Sequence, residues 1–543
     1  MPNRTLLTPN RLCLLLSAWI VLTGNTSFWG LLFRVQGTAP SGWLFVMSLF
    51  FALVGLHLLL FRLLAPGRLL RPALTLLLFL ASTAGWFMDI YGVALDSGML
   101  RNAVQTNAAE AREFFGWSLM WRWLWQAVPP IVLVWWMPLP PQGWWRATRD
   151  WVLGSLAGLA LLLVAVLPMF SSYASYFRNQ KEARYLITPA NVVLGSVRLA
   201  RKSMAVPGPF EQVGLDAKRT AVPGARPLLI VLVVGETARA ANFSLGGYAR
   251  ETNPLLAKRE LFYYRDATSC GTSTATSLPC MFSEQTREEF DAGKAARRDS
   301  VLDILQRSGL AVRWIDNQSG CKQICARVER EQAEVYHPTS CEGGECLDDT
   351  LLYALDARFA ATTIDSVLVL HTLGSHGPGY FRRVPPAFRK FQPICETERI
   401  ETCSDEAIVN TYDNSILYTD YVVDGLIERL AAQSQNMDSV LLYVSDHGES
   451  LGEKGLYLHG QPWLMAPAVQ KEIPIIMWFS SGTPQRLGLD THCLRASLDA
   501  KVSHDNLAHT LLGLGDVSTS VYRSSLDLLA GCRPRAAGTQ AGS

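Results

Sequence analysis

The chain has 543 residues, 49% of them hydrophobic, and a formal net charge of +2 at pH 7. A near-neutral balance without any basic run argues against a nucleic-acid partner, and the length calls for more than one hydrophobic core. The apolar residues gather at the N-terminal end, and that asymmetry sets the class. Residues 12–33 carry no charge, residues 43–61 are apolar apart from Ser48 and His57, and residues 72–88 and 152–176 are again uncharged. Each stretch is long enough to cross a bilayer. A further stretch, 117–138, contains Arg122 and the pair Pro129 and Pro130 but is otherwise rich in Trp, Val and Leu, so five spans are expected within residues 1–176.

Arg4 and Arg11 precede the first span, Arg62, Arg68 and Arg71 separate the second from the third, and Arg146 and Arg149 precede the fifth. The positive-inside rule makes those segments cytoplasmic. An odd number of spans then carries the rest of the chain to the far side, which is the periplasm if the protein is from the inner membrane of a Gram-negative bacterium. The first span is too long, and too well followed by others, to be a cleaved signal peptide. After the third expected span, the stretch 98–110 (GMLRNAVQTNAAE) repeats polar residues at intervals of four, Asn102, Thr106 and Glu110. On a helix these share a face, which fits either a solvated surface or a binding stripe.

Of the eleven cysteines only Cys13 lies in the membrane region, and ten follow residue 269. An even set in an exported domain suggests disulfides. Sequence neighbours pair as Cys270 with Cys280, Cys321 with Cys325, Cys341 with Cys346, Cys395 with Cys403, and Cys493 with Cys532. Connectivity stays open at this level, and a zinc–thiolate cluster is the competing reading, although the spacings lack the CxxC knuckles of structural zinc sites.

Residues 177–224, with their Pro-Gly turns, are expected to bridge to the next domain near the membrane surface. A catalytic domain is expected over 225–532 and a disordered tail over 533–543. Within the domain, apolar runs at 227–234, 366–370 and 439–444 read as buried strands, and they alternate with helical segments such as 300–308 and 416–433. The pattern predicts an α/β fold with a mostly parallel central sheet, whose ligands gather beyond the carboxyl ends of the strands. There the runs deliver Glu236, His371 with nearby His376, and Asp446 with His447. Two carboxylates and an imidazole suit zinc, leaving a fourth tetrahedral position for a hydroxyl oxygen. A source of hydroxyls is at hand in 269–283 (SCGTSTATSLPCMFS), where Thr272, Ser273, Thr274, Thr276 and Ser277 lie between or beside Cys270 and Cys280. A metal-activated hydroxyl means group transfer through a covalent intermediate. Each signal alone also fits a turn, a helix start or a core histidine; their convergence at three strand ends is what points to a site.

The segments VVGETARAANFSLGGY, SCGTSTATSLPCMFS, HTLGSHGP and SDHGESLGEKGLYLHG resemble the lipid A phosphoethanolamine transferases, of the EptA and mobile colistin resistance type, within the alkaline phosphatase and sulfatase superfamily. The resemblance extends over nearly the whole chain, the five-span region included. It implies that Thr274 is the nucleophile and that Glu236, Thr274, Asp446 and His447 hold the catalytic zinc. It also implies that Lys322, His371, His376 and His459 surround the transferred phosphate, with His376 and His459 available for proton transfer or a second zinc. Asn102, Thr106 and Glu110 would line the approach of the ethanolamine headgroup, with the Glu110 carboxylate suited to its ammonium. Position 318 is Gln where the family often has Asn, which bears on one headgroup contact.

The activity so implied is transfer of phosphoethanolamine from phosphatidylethanolamine to a lipid A phosphate by a membrane-embedded, monomeric enzyme. The added ammonium would lower surface negative charge and weaken polymyxin binding. A lipopolysaccharide core sugar or a periplasmic glucan is the alternative acceptor, and a catalytically silent lipid-binding membrane protein is the alternative class. A sulfatase would want a C-x-P-S-R type motif, which Cys270-Gly271-Thr272 does not provide. A transporter would want more intramembrane charge than His57 and Asp89.

Overall fold

The computed structural model describes residues 7–36, 42–106, 108–140, 143–204, 208–219, 224–342 and 345–533. Arg4 and the tail expected beyond Arg533 lie outside them. The chain forms two compact units. One holds the chain up to Arg101 with Phe114–Ser203, and the other holds Asn102–Glu113 with the chain from Met204 onward. The division differs from the one expected at 176 and 225, because Asn102–Glu113 packs with the second unit and the first part of the bridging segment stays with the helices.

Among the described residues of the helical unit three helices are long and apolar enough to cross a membrane, Trp43–Leu64, Gly67–Tyr91 and Trp144–Asn179. Pro9–Thr23 and Thr26–Val35, where one span is expected, meet at a 58° bend, and counting them as one broken span makes four. The stretch 117–138 is not one unbroken α-helix. It runs as helix Trp117–Arg122, π-helix Trp123–Ala127 and helix Val128–Trp136. Pro129 and Pro130 lack the amide hydrogens that an α-helix would direct at the carbonyls four residues back. The Gln126 carbonyl accepts instead from the Trp19 indole at 2.9 Å.

The helices Trp43–Leu64 and Trp144–Val166 cross on glycines: a Cβ on Gly55 would lie 2.7 Å from the Leu162 amide nitrogen, and one on Gly158 would lie 2.7 Å from that of Leu59. Only hydrogen side chains permit that approach. Polar groups pin the unit both at its surface and inside it. The exposed Asp89 pairs with Arg122 at 2.9 Å and accepts from Thr26 and Ser27, and the buried His57 lies between the carbonyls of Leu53 and Thr188.

The second unit is built on a seven-stranded sheet. In chain order its strands are β1 (Leu228–Gly235), β2 (Phe262–Tyr264), β3 (Ala311–Asp316), β4 (Glu329–Gln332), β5 (Ser366–His371), β6 (Asp438–Ser445) and β7 (Ile475–Phe479). They lie in the order β2-β7-β6-β1-β5-β3-β4. The sheet is mixed: four pairings are parallel and two, β6–β7 and β7–β2, are antiparallel. After β6 the chain turns across the end of the sheet and returns along its neighbour without a crossover helix, so β7 must run the opposite way. Every residue of β1 is buried, as expected of a strand covered on both faces. Ile230, Leu232 and Val234 share one core with Val301, Leu302, Leu305, Leu511 and Leu512 from two helices. The 28-residue helix Asp405–Ala432, capped by Ser404 accepting from the Ala407 amide, packs on β6.

Five disulfides join Cys270–Cys280, Cys321–Cys325, Cys341–Cys346, Cys395–Cys403 and Cys493–Cys532, and Cys13 is free and buried. With all ten later cysteines oxidised, no thiolate remains for a zinc–thiolate cluster.

Candidate metal centre and active site

Parallel register sets the site. Gly235 of β1 lies opposite Ser445 of β6, and Val234 lies opposite His371 of β5. The residues immediately after β1 and β6, Glu236 and Asp446, therefore leave the sheet side by side, and the Asp446 amide donates to the Gly235 carbonyl at 2.8 Å. Thr237 holds a positive φ of 53° just past Glu236. Strain of this kind persists only where surrounding contacts enforce it. Here the Tyr412 hydroxyl does so, donating to the Thr237 carbonyl at 2.6 Å and accepting from the Arg239 amide at 2.9 Å.

Thr274 opens the helix Thr274–Met281, inside the loop closed by Cys270–Cys280. Its hydroxyl lies 3.2 and 3.1 Å from the two oxygens of Glu236 and 3.4 Å from His447 Nε2. His447 Nδ1 lies 2.9 Å from the Gly448 carbonyl, which can only accept, so Nδ1 carries the hydrogen. The Nε2 lone pair then faces Glu236 Oε1 at 3.4 Å and Asp446 Oδ2 at 3.3 Å. Three electron-rich atoms facing one another in a dry pocket call for a cation or a proton between them. Asp446 Oδ2 is buried and forms no well-shaped hydrogen bond, and the ligand atoms of Glu236, Asp446 and His447 all lie within 4.8 Å of one another. A hard-to-intermediate divalent ion fits this donor set, with the imidazole already in the ligating tautomer.

The electrostatics agree. Burial disfavours the ionised Glu236, yet the hydrogen bond and charge of His447, helped by His376 and His459, hold its carboxyl far below the usual range. Burial, and then the Glu236 charge, push Asp446 up. Burial works against a charged His447, but the Asp446 and Glu236 carboxylates outweigh it and lift the imidazole to about 9. The pocket is thus tuned to hold positive charge at the point where the three residues meet.

A polar cleft opens from Thr274 and is lined by Asn102, Thr106, Gln318, Lys322, His376 and His459, among others. Lys322 and Gln323 both adopt positive φ, 48° and 76°, in the short loop between Cys321 and Cys325. The Lys322 ammonium donates to Ser319 Oγ at 2.9 Å. The His459 ring centre is 4.4 Å from that of His447 and 5.7 Å from that of His376.

Two expected residues are placed differently. His371 is fully buried, with Nδ1 2.8 Å from Asp316 Oδ1, and is not among the residues lining the cleft. It is the last residue of β5, directly across from Asp316 in the register, so its ring is taken up between strands. Gln318 directs its side-chain amide to Glu236 Oε2 at 2.8 Å, and so reaches a candidate metal ligand. The Glu110 side chain lies outside the described residues.

The geometry adds residues that sequence reasoning missed. Glu449, fully buried, faces His459 Nδ1 at 3.2 Å and orients that ring; it sits in the same Asp-His-Gly-Glu run as the ligands, where its spacing was a usable signal. His504 accepts from the Cys270 amide at Nδ1 (3.0 Å) and donates from Nε2 to the Ser445 carbonyl (2.9 Å), tying the hydroxyl loop to the end of β6. No local pattern announces it.

Residues 53–204 match the family described as phosphoethanolamine transferase EptA/EptB, and residues 229–517 match the Sulfatase family. The chain is 39% identical over 468 residues to phosphoethanolamine transferase EptA of Escherichia coli K12, covering 85% of this chain and 86% of that protein. It is 35% identical over 518 residues to phosphatidylethanolamine transferase Mcr-1 of Escherichia coli, covering 92% and 94%. Among solved structures, the integral membrane protein lipooligosaccharide phosphoethanolamine transferase A (EptA) from Neisseria meningitidis superposes with a TM-score of 0.93 at 36% identity, covering 96% of this chain and 99% of that one. The chain belongs to the EptA-type phosphoethanolamine transferases of the alkaline phosphatase and sulfatase superfamily.

Proposed function

We propose that the protein transfers phosphoethanolamine from phosphatidylethanolamine to a phosphate of lipid A, using Thr274 as nucleophile. The observation that carries this reading is the convergence of the Thr274 hydroxyl on Glu236 and His447 at 3.1 to 3.4 Å, at the mouth of a cleft bearing Lys322, His376 and His459. The metal is zinc on this reading, held by Glu236, Asp446, His447 and the Thr274 oxygen; when bound it lowers the pKa of the hydroxyl and offsets charge on the phosphoryl group.

The Thr274 hydroxyl gives up its proton to water as its Oγ attacks the donor phosphorus, the Oγ–P bond forms and the bond from phosphorus to the diacylglycerol oxygen breaks. His459, oriented by Glu449, gives that oxygen its proton, so diacylglycerol leaves as an alcohol. Lys322 neutralises a phosphate oxygen as a point charge, and His376 holds another. Asn102, Thr106 and Glu110 receive the ethanolamine end, and His371 acts on the phosphate side through its neighbours. In the second half an oxygen of the lipid A phosphate attacks the same phosphorus and the Oγ–P bond breaks, returning Thr274.

Residues 1–176 are read as five membrane spans, with the break at 117–138 inside the fourth, and residues 225–532 as a periplasmic catalytic domain joined through 177–224. Five disulfides support an oxidising compartment. Two lipid substrates explain why a soluble-type catalytic domain is tethered to a bilayer. The kinship with a phosphatidylethanolamine transferase supports the donor, and the product would bind cationic peptides such as polymyxin less well.

The test is mass spectrometry of lipid A from a polymyxin-sensitive Gram-negative strain expressing the wild-type chain or Thr274→Ala. Phosphoethanolamine on lipid A with the wild type alone is expected. Modification by the Thr274→Ala protein removes the nucleophile assignment, and unmodified lipid A with a modified core sugar moves the acceptor.

A further inference from the structure

We infer that the buried ion pair between Glu113 and Arg383 is a clamp that seats the Asn102–Glu113 segment on the catalytic unit and so positions Asn102 and Thr106 over Thr274. Holding these two residues against the donor headgroup rests on the transfer reading above; the docking itself does not.

Glu113 ends the helix Ala108–Glu113. Its side chain is 3% exposed and that of Arg383 is 2% exposed. Arg383 donates one terminal N–H to Glu113 Oε1 at 2.7 Å and another to Glu345 Oε2 at 2.5 Å. A single guanidinium thus joins carboxylates from two distant parts of the chain. The second oxygen of Glu113 accepts from the Gly379 amide at 3.3 Å. Gly379 lies three residues beyond His376, and Glu345 lines a cleft shared with Gln318, Ser319 and His376. The clamp therefore ends on the same loops that bear the phosphate-side residues.

Gly379 supplies an independent sign that the contact is built. Its φ of −80° lies outside the left-handed region that favours glycine. A Cβ there would instead lie 2.9 Å from Glu113 Oε1 and 3.2 Å from Glu113 Cδ. The absent side chain is the space the carboxylate occupies.

Buried ion pairs add little net stability over apolar residues of similar volume, but breaking one partner away is strongly unfavourable. The effect is on register. A segment shifted by one helical turn would leave a dry guanidinium short of a carboxylate and the Gly379 amide unpaired. At the other end of the segment, Asn102 and Thr106 line the cleft with Thr274, and the Thr106 hydroxyl donates to the Asn102 carbonyl at 3.0 Å. Anchoring one end fixes where this short hydrogen-bonded stretch stands over the nucleophile.

The test uses the full-length protein in lipid nanodiscs, comparing Glu113→Gln and Gly379→Ala with the wild type by hydrogen–deuterium exchange and by transfer kinetics with phosphatidylethanolamine. In Glu113→Gln, amides of Asn102–Thr106 and Ala108–Glu113 are expected to exchange on the order of tenfold faster, while β1, β5 and β6 keep their protection. The KM for donor lipid is expected to rise on the order of tenfold with kcat within about threefold, the split that separates positioning from chemistry. Gly379→Ala should move both readouts in the same direction by less. Unchanged exchange of the segment in both variants overturns the clamp, and faster exchange with an unchanged KM overturns the positioning of Asn102 and Thr106. If Glu113→Gln also loses protection in β1, β5 and β6, its fold has failed and Gly379→Ala, which adds one methyl group, decides alone. Should the wild type transfer nothing from phosphatidylethanolamine, the transfer reading fails, and the exchange comparison still decides the docking.

Discussion

The two ends of the active-site cleft are built on different principles. At the metal end, Glu236, Asp446 and His447 follow directly from adjacent parallel strands, are fully buried, and lean on backbone groups: Asp446 Oδ1 accepts from the amides of Thr237 and His447. At the other end, where the proposed function puts the headgroup, Lys322, His376 and His459 come from loops, Asn102 from the end of helix Ser97–Gln105 and Thr106 from the residue just after it. Positions fixed by a sheet are set to the accuracy of its hydrogen bonds. Those on loops need tethers, and the structure supplies them as a short disulfide loop around Lys322, Glu449 behind His459, and Arg383 against Glu113. One end is a rigid fixture for charge; the other, on the proposed function, would be the adjustable end that receives a lipid headgroup.

Substitution at each end should separate them. Asp446→Asn removes a ligand charge, and because outer partners of ligands already cost ten- to a hundredfold, metal affinity should fall by at least about a hundredfold. Transfer should fall with it and recover only in part at high zinc. Metal content after dialysis and kcat are the readouts; full metal retention with normal kcat would erase the distinction. Lys322→Ala, at the other end, removes a charge-assisted contact to phosphate, with an expected rise in KM of about ten- to a hundredfold. Bound metal should stay at the wild-type level. A Lys322→Ala protein that loses metal, or that loses kcat alone, would show that the two ends are one cooperative site.

Legibility in the sequence follows the same divide. β1 is an uninterrupted apolar run and β6 carries one over 440–444 because both faces of these strands are buried, so their ends, and with them Glu236, Asp446 and His447, could be located by inspection. The antiparallel return of β7 could not, since Ile475–Phe479 reads alike in either direction. His371 sits at a strand end by the same rule, yet its ring is taken by Asp316, 55 residues earlier, a pairing that depends on the β5–β3 register. Arg383 and Glu113 are 270 residues apart, and nothing local marks either as half of a buried pair. Pro129 and Pro130 mark the region where 117–138 breaks, but the Gln126 carbonyl there is taken by Trp19, 107 residues away, a pairing nothing local shows.

The smallest expected effect concerns the tether between the ends of the fixture. His504 bridges the Cys270 amide and the Ser445 carbonyl with one nitrogen accepting and one donating, a pattern only the neutral ring can supply. Burial, reinforced by the positive charge of His447 and opposed by the Ser445 hydrogen bond, brings it down to about 4 from 6.5. Between those values the unfolded chain binds the proton and the folded one does not, so stability rises with pH through that window. The contribution is complete above about pH 6.5 and is lost as pH falls toward 4, amounting to at most about 3 kcal/mol. Thermal unfolding of the full-length protein between pH 7 and pH 5 should therefore show a Tm that declines with acid. His504→Gln, which cannot titrate, should start lower at pH 7 and decline less. An equal slope in the two proteins would mean that His504 binds its proton alike in the folded and unfolded chain, which overturns the neutral bridge and would leave the hydroxyl loop held by its disulfide and by the hydrogen bond from Thr272 to the Gln461 carbonyl.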